Sequence, residues 1–292
     1  MTGATEPSDR ALAIDAPLRE SELAAAGELV REVGWNQVAA DWRIFLDLGT
    51  IYAVRAADGR LVATAATLPF ERRFAWISMV LVTHDFRRRG LATRLLRRCM
   101  DDLLAADLVP VLDATPAGRA VYRRLGFEDV WGFHRLIRQA PAGEAVNGAV
   151  AVRPISDAVW PAICRYDARH FGADRSALLG HLRGRLPAAE LYAEQNGTIA
   201  GFLLGRDGRS ANDLGPLIAD DDATAQALLA KALATLPGAL YIDLADAKTA
   251  VSAFLAARGF VAQRPFTRMV YGRKVSFDDP GRTVAVVGPE FG

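Results

Sequence analysis

The sequence predicts an α/β (α+β) protein built from two tandem units, each a mixed, mostly antiparallel sheet flanked by helices. Three observations carry this. At 292 residues the chain exceeds the usual size of one core. Each half reads as a hairpin with a glycine turn, at Asp58-Gly59 and at Asn196-Gly197, followed by strand, helix and strand. Near the end of each half, Gly126-Phe127 precedes Phe133, Arg135 and Leu136 by the spacings at which Gly259-Phe260 precedes Phe266, Arg268 and Met269. A duplicated fold explains such a match better than chance.

In the first half, residues 1–9 are small and polar and read as disordered. Ala11 to Ala16 reads as a first strand. Helical periodicity runs through Leu23, Ala26, Leu29 and Val30, and Gly34-Trp35-Asn36 breaks it. A second helix is expected over Val38 to Leu48. The hairpin follows, Ile51–Arg55 against Leu61–Leu68. Ile77 to Val82 is an apolar, branched run, as expected of a buried strand. After Arg87-Arg88-Arg89-Gly90 the apolar period turns helical through Leu91, Leu95, Leu96, Met100 and Leu103. Val109 to Leu112 is the next strand, parallel to Ile77–Val82 because a helix connects them. Thr115 caps a further helix with Pro116 at its first position, and Gly126 ends it. Phe127 to Ile137 reads as two closing strands.

The arginines stand where a helix start prefers acids, because its free N–H groups and aligned peptide dipoles make that end positive. An anion bound there resolves the conflict: amides and arginines hold a phosphate, and Gly90 lets the backbone approach it. The stretch Arg87-Arg88-Arg89-Gly90-Leu91-Ala92 resembles the R/Q-x-x-G-x-G/A loop of the GNAT N-acetyltransferases. Val80-Leu81-Val82 resembles the end of that family's fourth strand, and Tyr122-Arg123-Arg124-Leu125-Gly126-Phe127 resembles its terminal Y-x-x-L-G-F motif. Ala92 replaces the second glycine, and His84 stands where proline is common.

The resemblance implies a splayed parallel pair between the fourth and fifth strands. A bulge near the end of the fourth opens a slot for the pantetheine arm of acetyl-CoA. It implies cofactor contacts from Val80, Leu81, Val82, Arg87, Arg88, Arg89, Gly90, Leu91, Ala92 and Thr93. Thr115 occupies the position of a cofactor-contacting asparagine, so that contact is open. Tyr122 becomes the acid that protonates the leaving thiolate, with Val82 the foremost of the Val80–Val82 amides offered to the oxyanion. The same resemblance places Trp35, Trp42 and Phe45 beside the acceptor pocket; a core role is the alternative. For the base, Glu71, Asp85, His84, His134 and a water relay stay open.

Residues 10–139 are thus read as a catalytic GNAT domain, 140–148 as a linker and 149–292 as a divergent GNAT-like domain. In the second unit Val150–Arg153 is a strand, helices run from Asp157 to about Arg185, and Leu191–Gln195 with Thr198–Leu204 form the hairpin. Asp213–Ala219, Ala223–Leu236 and Leu240–Leu244 are its fourth strand, central helix and fifth strand. Asp220, Asp221 and Asp222 then fall opposite the basic loop, and Leu255 falls opposite Tyr122. Acids repel a pyrophosphate and leucine donates no proton, so the second unit is expected to cap its helix and bind no acetyl-CoA. The tail from Thr283 begins as a strand that either pairs across the domain interface or completes a sheet edge.

Composition narrows the partners. A net charge of +1 supplies no global field for nucleic acid, and no apolar run reaches the ~20 residues of a membrane span. Two cysteines, Cys99 and Cys164, and the absence of a signal-peptide pattern suit a reducing cytoplasm. Four histidines without ligand spacing argue against a metal. The expectation is a cytoplasmic enzyme, monomer or homodimer, moving an acetyl group from acetyl-CoA to a small-molecule amine. A CoA-binding sensor without turnover is the alternative.

Overall fold

The computed structural model describes residues 12, 14–15, 17–139 and 150–292. The expected disordered start (1–9), the linker (140–148) and Ala11, Ala13 and Ala16 of the first expected strand lie outside the described residues.

The first half contains β1 (Ile14–Asp15), α1 (Leu23–Glu32), α2 (Ala39–Leu48), β2 (Thr50–Arg55), β3 (Leu61–Phe70) and β4 (Phe74–Val82). These are followed by α3 (Leu91–Ala105), β5 (Val109–Ala114), α4 (Pro116–Arg124) and β6 (Phe127–Arg138). The second contains β7 (Val152–Pro154), α5 (Trp160–Phe171), α6 (Ser176–Leu182), β8 (Leu191–Gln195), β9 (Thr198–Arg206) and β10 (Asn212–Ala219). Then come α7 (Asp222–Leu233), β11 (Leu240–Ala245), α8 (Thr249–Ala256), β12 (Val261–Tyr271) and β13 (Thr283–Ala285). The two closing strands expected over Phe127–Ile137 are one strand, β6, with a single bulge opposite Arg268 and Met269.

The two expected sheets are one. Thirteen strands run in the order β1-β2-β3-β4-β5-β12-β6-β11-β13-β10-β9-β8-β7. The last strand of each repeat has crossed into the other half: β12 lies against β5, and β6 lies against β11. The two pair antiparallel with Phe133 opposite Phe266, the two repeat-equivalent phenylalanines. Their rings stack at 5.1 Å, so a pseudo-twofold axis passes between them. Around it, Arg268 reaches Asp113 of β5 through two bonds of 2.9 Å, and Arg135 reaches Asp243 of β11 through bonds of 2.9 and 2.6 Å. Both pairs are buried and bidentate, so each crossing strand carries an arginine whose bidentate partner lies in the opposite half.

Period-two alternation in the strands splits the core. Tyr52, Val54, Ala75 and Ile77 face α3, whose Leu91, Leu95, Leu96, Cys99 and Leu103 fill the helical stripe predicted for it. Ile51, Ala53, Phe74 and Trp76 face the other layer, where α1 and α2 meet α5 and α6 in a cluster drawn from both halves. Among the described residues, no helix is long and apolar enough to cross a membrane.

Removing one partner of a buried pair leaves its carboxylates without a counter-charge. Arg268→Ala strands Asp113 and Asp278 together and should lower the unfolding free energy by about 3–5 kcal/mol in urea titration. Arg98→Ala, at an exposed i,i+4 pair, should leave the midpoint unmoved.

Candidate active site

Strands β4 and β5 pair only where Phe74, Ala75 and Trp76 oppose Val109, Pro110 and Val111. Beyond Trp76 they part. The cause lies on the other edge of β4, where Thr64 opposes Leu81 and Ala66 opposes Ser78, leaving Met79 and Val80 against one residue of β3. Met79 adopts φ +51°, the conformation that accommodates this bulge. The Thr64 hydroxyl donates to the Met79 carbonyl at 2.9 Å. A trans peptide points its C=O and N–H in opposite directions, so the Val80 N–H is aimed away from β3, into the opening. Thr83 N–H donates to Val62, and alternation therefore turns the Val82 amide toward the opening as well.

The opening leads two ways. On the solvent side is a groove of about 660 Å³, bordered by Val80, Leu81, Val82, Arg87, Arg88, Gly90, Leu91, Ala92 and Thr93, together with Glu32 and Trp35. Gly90 precedes α3 with φ +76°, and a Cβ built there meets nothing within 4 Å. The first intrahelical bond of α3 is Arg94 N–H to Gly90 O, and no side chain caps the helix. The amides of Leu91, Ala92 and Thr93 therefore face the groove unpaired, which suits a pyrophosphate. Arg87 donates to the Val82 carbonyl at 3.1 Å and stands 3.8 Å from Glu32. The Glu32 carboxyl is held below its usual range, first by the Thr83 hydroxyl at 2.6 Å. Arg89 is outside the groove. It bonds the Asp85 carbonyl and lies over the Phe86 ring at 4.8 Å.

On the inner side is a cavity of about 180 Å³ that shares Trp35 and Val80 with the groove. From β4 and β5 it receives Ile77, Ser78, Met79, Leu112 and Asp113; from the α4 region, Thr115 and Tyr122. Thr115 caps α4, its hydroxyl accepting from Gly118 N–H at 3.3 Å. Tyr122 is half-buried, and burial raises its phenol above the ordinary value, keeping it protonated. The remaining wall comes from the crossed strands and the tail: Arg135, Arg264, Phe266, Pro289 and Glu290, with Gln37.

Several expected residues are elsewhere. Trp42 and Phe45 are fully buried in the shared core, where Phe45 stacks on Phe291 at 5.1 Å; only Trp35 of the three aromatics reaches the cavity. None of the expected bases lines it. Glu71, at the far turn of β4, accepts from Asp174 N–H at 3.1 Å. His84 and Asp85 are exposed and pair with each other at 3.6 Å. His134 contacts Asp246 at 2.5 Å on the other side of the crossed strands. Two carboxylates do line the cavity, Asp113, whose oxygens Arg268 holds, and Glu290, which the sequence reading does not include. Its Oε1 accepts from Gln37 at 2.8 Å and from Arg206 at 2.6 Å, while no group among the described residues donates to Oε2. No local signal marks Glu290, because the partners that hold it lie 253 and 84 positions away.

The second half has the same splay, filled. β10 and β11 run parallel from Asn212–Leu214 against Leu240–Ile242, then part, and β13 occupies the gap, pairing with Leu217 and Ile218 on one side and Leu244 on the other. The tail strand thus sits inside the sheet, neither at an edge nor between the halves. Beyond it the chain enters the seam between the halves, where Phe291 stacks on Phe45 of the first half and Arg175 of the second donates to the Gly292 carbonyl at 2.9 Å. Asp221 caps α7 by accepting from Thr224 N–H at 2.7 Å, the capping role expected of these acids. Opposite Tyr122, Leu255 is buried in the core. Burial also raises both thiols, Cys164 to about 11, and neither cysteine lines the groove or the cavity.

A split sheet bearing a bulge, a glycine-led basic helix start and a tyrosine at the inner mouth define the class: these are the parts of a GNAT acetyltransferase. Residues 20–127 match the acetyltransferase (GNAT) family and residues 163–281 match an acetyltransferase (GNAT) domain, so the chain belongs to this superfamily and carries its fold twice. It is 20% identical over 279 residues to the uncharacterized N-acetyltransferase YitH of Bacillus subtilis, covering 94% of this chain and 97% of that one. A candidate acetyltransferase from Pyrococcus horikoshii superposes with a TM-score of 0.77 at 18% identity, over 100% of this chain and 99% of that one. A tandem GNAT protein from the clavulanic acid biosynthesis pathway gives 0.58 at 14% identity, over 87% and 97%.

One slot is open and one is occupied by β13. Calorimetric titration with coenzyme A is expected to give one site per chain; two sites would show that β13 is displaced.

Proposed function

We propose that the protein is an N-acetyltransferase that moves an acetyl group from acetyl-CoA directly to a primary amine of a small molecule. The observation that carries this is the junction at Val80, where the groove with its unpaired amides meets the inner cavity beside Tyr122. Gly90, Leu91, Ala92 and Thr93 present backbone N–H groups to the pyrophosphate, while Arg87 and Arg88 add positive charge. The open edge of β4 offers Val82 to the pantetheine arm as a neighbouring strand would. Acetyl-CoA supplies an activated thioester carbonyl. Val80 N–H, rather than Val82 N–H, lies at the junction and takes the developing negative charge. Tyr122, kept protonated by burial, gives its proton to the departing sulfur. Holding both reactants side by side supplies much of the remaining acceleration.

A sensor without turnover needs the groove alone. A protonated tyrosine facing the inner cavity favours the enzyme. The second half contributes wall residues to the acceptor cavity and keeps its own slot closed with β13. The reaction is read as needing no metal, and the protein as acting in the cytoplasm.

Two substitutions test the two ends of the site. Gly90→Val places a β-branched residue at φ +76° and should weaken acetyl-CoA by roughly 10- to 100-fold in calorimetry; an unchanged Kd removes the pyrophosphate assignment. Tyr122→Phe should lower kcat by ~100- to 10,000-fold with cofactor affinity intact. Because the phenol is raised, wild-type kcat should show no alkaline fall from this group below pH ~10. An undiminished kcat in the phenylalanine variant would remove Tyr122 as the acid.

A further inference from the structure

Four charged side chains line the inner cavity: Asp113, Arg135, Glu290 and Arg264. Three are already answered. Both oxygens of Asp113 are held by Arg268, Arg135 holds both oxygens of Asp243, and Glu290 is held by Arg206 and Gln37. Arg264 is not. It forms no ion pair within 4.0 Å among the described residues, and its Nε is buried without a hydrogen-bond partner. Its guanidinium rests over the Phe266 ring at 5.0 Å, beside Arg135, which repels it. A half-buried guanidinium with no acid at pairing distance is costly, because the attraction of the more distant Asp243 and Glu290, both already engaged by other groups, does not offset its desolvation.

The repeat sharpens the point. By the spacing that equates Phe133 with Phe266, the position of Arg264 in the second copy corresponds to Trp131 in the first. Trp131 packs against Phe133 at 5.7 Å and lies under the Arg268 guanidinium at 4.4 Å. At one of two symmetric places the chain thus puts an aromatic ring, and at the other a free cation facing the acceptor cavity.

The anion that answers Arg264 does not come from the cofactor. The phosphates of acetyl-CoA belong at the helix start of α3, and its thioester end is neutral. We propose that the acceptor is an amino-carboxylate, such as a free amino acid, whose carboxylate is received by Arg264. This assignment rests on the inner cavity being the acceptor site. A guanidinium matches a carboxylate edge to edge with two parallel bonds, which fixes the acceptor's orientation as well as its charge. The amine then lies toward Glu290 Oε2, the free acceptor on the cavity wall, and toward the Val80 junction. On acetylation a C–N bond forms and the thioester C–S bond breaks. The amine loses one proton, Glu290 Oε2 being placed to accept it, and the leaving sulfur gains one from Tyr122.

The test uses the full-length protein, a panel of the common α-amino acids with β-alanine and 4-aminobutyrate, and the matching amides and decarboxylated amines. Thiol release from acetyl-CoA gives kcat/KM, and calorimetry on protein saturated with coenzyme A gives binding. At least one amino-carboxylate should react with kcat/KM about 100-fold or more above its amide. In Arg264→Gln that ratio should fall toward one, with coenzyme A affinity unchanged as the check on folding, and Arg264→Lys should restore part of it. Equal use of acids and amides, or a ratio unmoved in Arg264→Gln, overturns the assignment while leaving acetyl transfer intact. Arg264-dependent binding of an amino acid that is never acetylated upholds the assignment and overturns the transfer reading. If no member of the carboxylate panel binds or reacts, the assignment is wrong.

Discussion

The exchange of β6 and β12 across the pseudo-twofold axis is the constraint on which the rest depends. Each strand completes the other half's sheet and brings with it a buried arginine whose only bidentate partner is an aspartate over there. Two isolated units could not satisfy those charges, and burying an unpaired guanidinium or carboxylate costs several kcal/mol. The pairs therefore specify the register of the crossing as well as contributing to its stability. With Phe133 and Phe266 stacked on the axis, that register also sets which side chains turn into the inner cavity.

Duplication then divided the labour. Both halves build a sheet that splits, but the fillings differ. In the first half the split stays open, with a glycine-led helix start and unpaired amides behind it. In the second, β13 fills it with backbone from the same chain, and Asp221 caps the helix that follows. Filling the slot also fixes the tail in space. Leaving β13, the chain enters the interface with Glu290 against Arg206 and Gln37 and with Phe291 on Phe45. Closing one splay of the sheet and furnishing a wall of the other half's inner cavity are two consequences of one strand pairing.

The cavity that results is lined by elements far apart in the chain, among them the bulged end of β4, α4, the crossed strands and the tail. Its electrostatics are set by pairing across the interface. Nearly every charge around it is answered at hydrogen-bond distance, and the exception, Arg264, stands where its repeat equivalent is a tryptophan. That asymmetry was present in the sequence, but its meaning depends on knowing that the two positions face each other's halves.

What the sequence by itself determined is local. Apolar alternation and helical periodicity placed the elements, Gly90 after three arginines marked an uncapped helix start, and equal spacings to Phe133 and Phe266 disclosed the repeat. These signals survive because each depends on neighbours within one turn, one hairpin or one strand. The tertiary structure alone decided the exchange of β6 with β12, the seat of β13 between β10 and β11, and the presence of Glu290 at the cavity. It also sent Trp42 and Phe45 to the core while leaving Trp35 at the site. Strand periodicity states which face of a residue is buried but not which strand lies alongside, since any free edge offers the same N–H and C=O groups. Partner choice was settled by packing the whole sheet at once, through contacts such as Gln37 with Glu290 that are 253 positions apart.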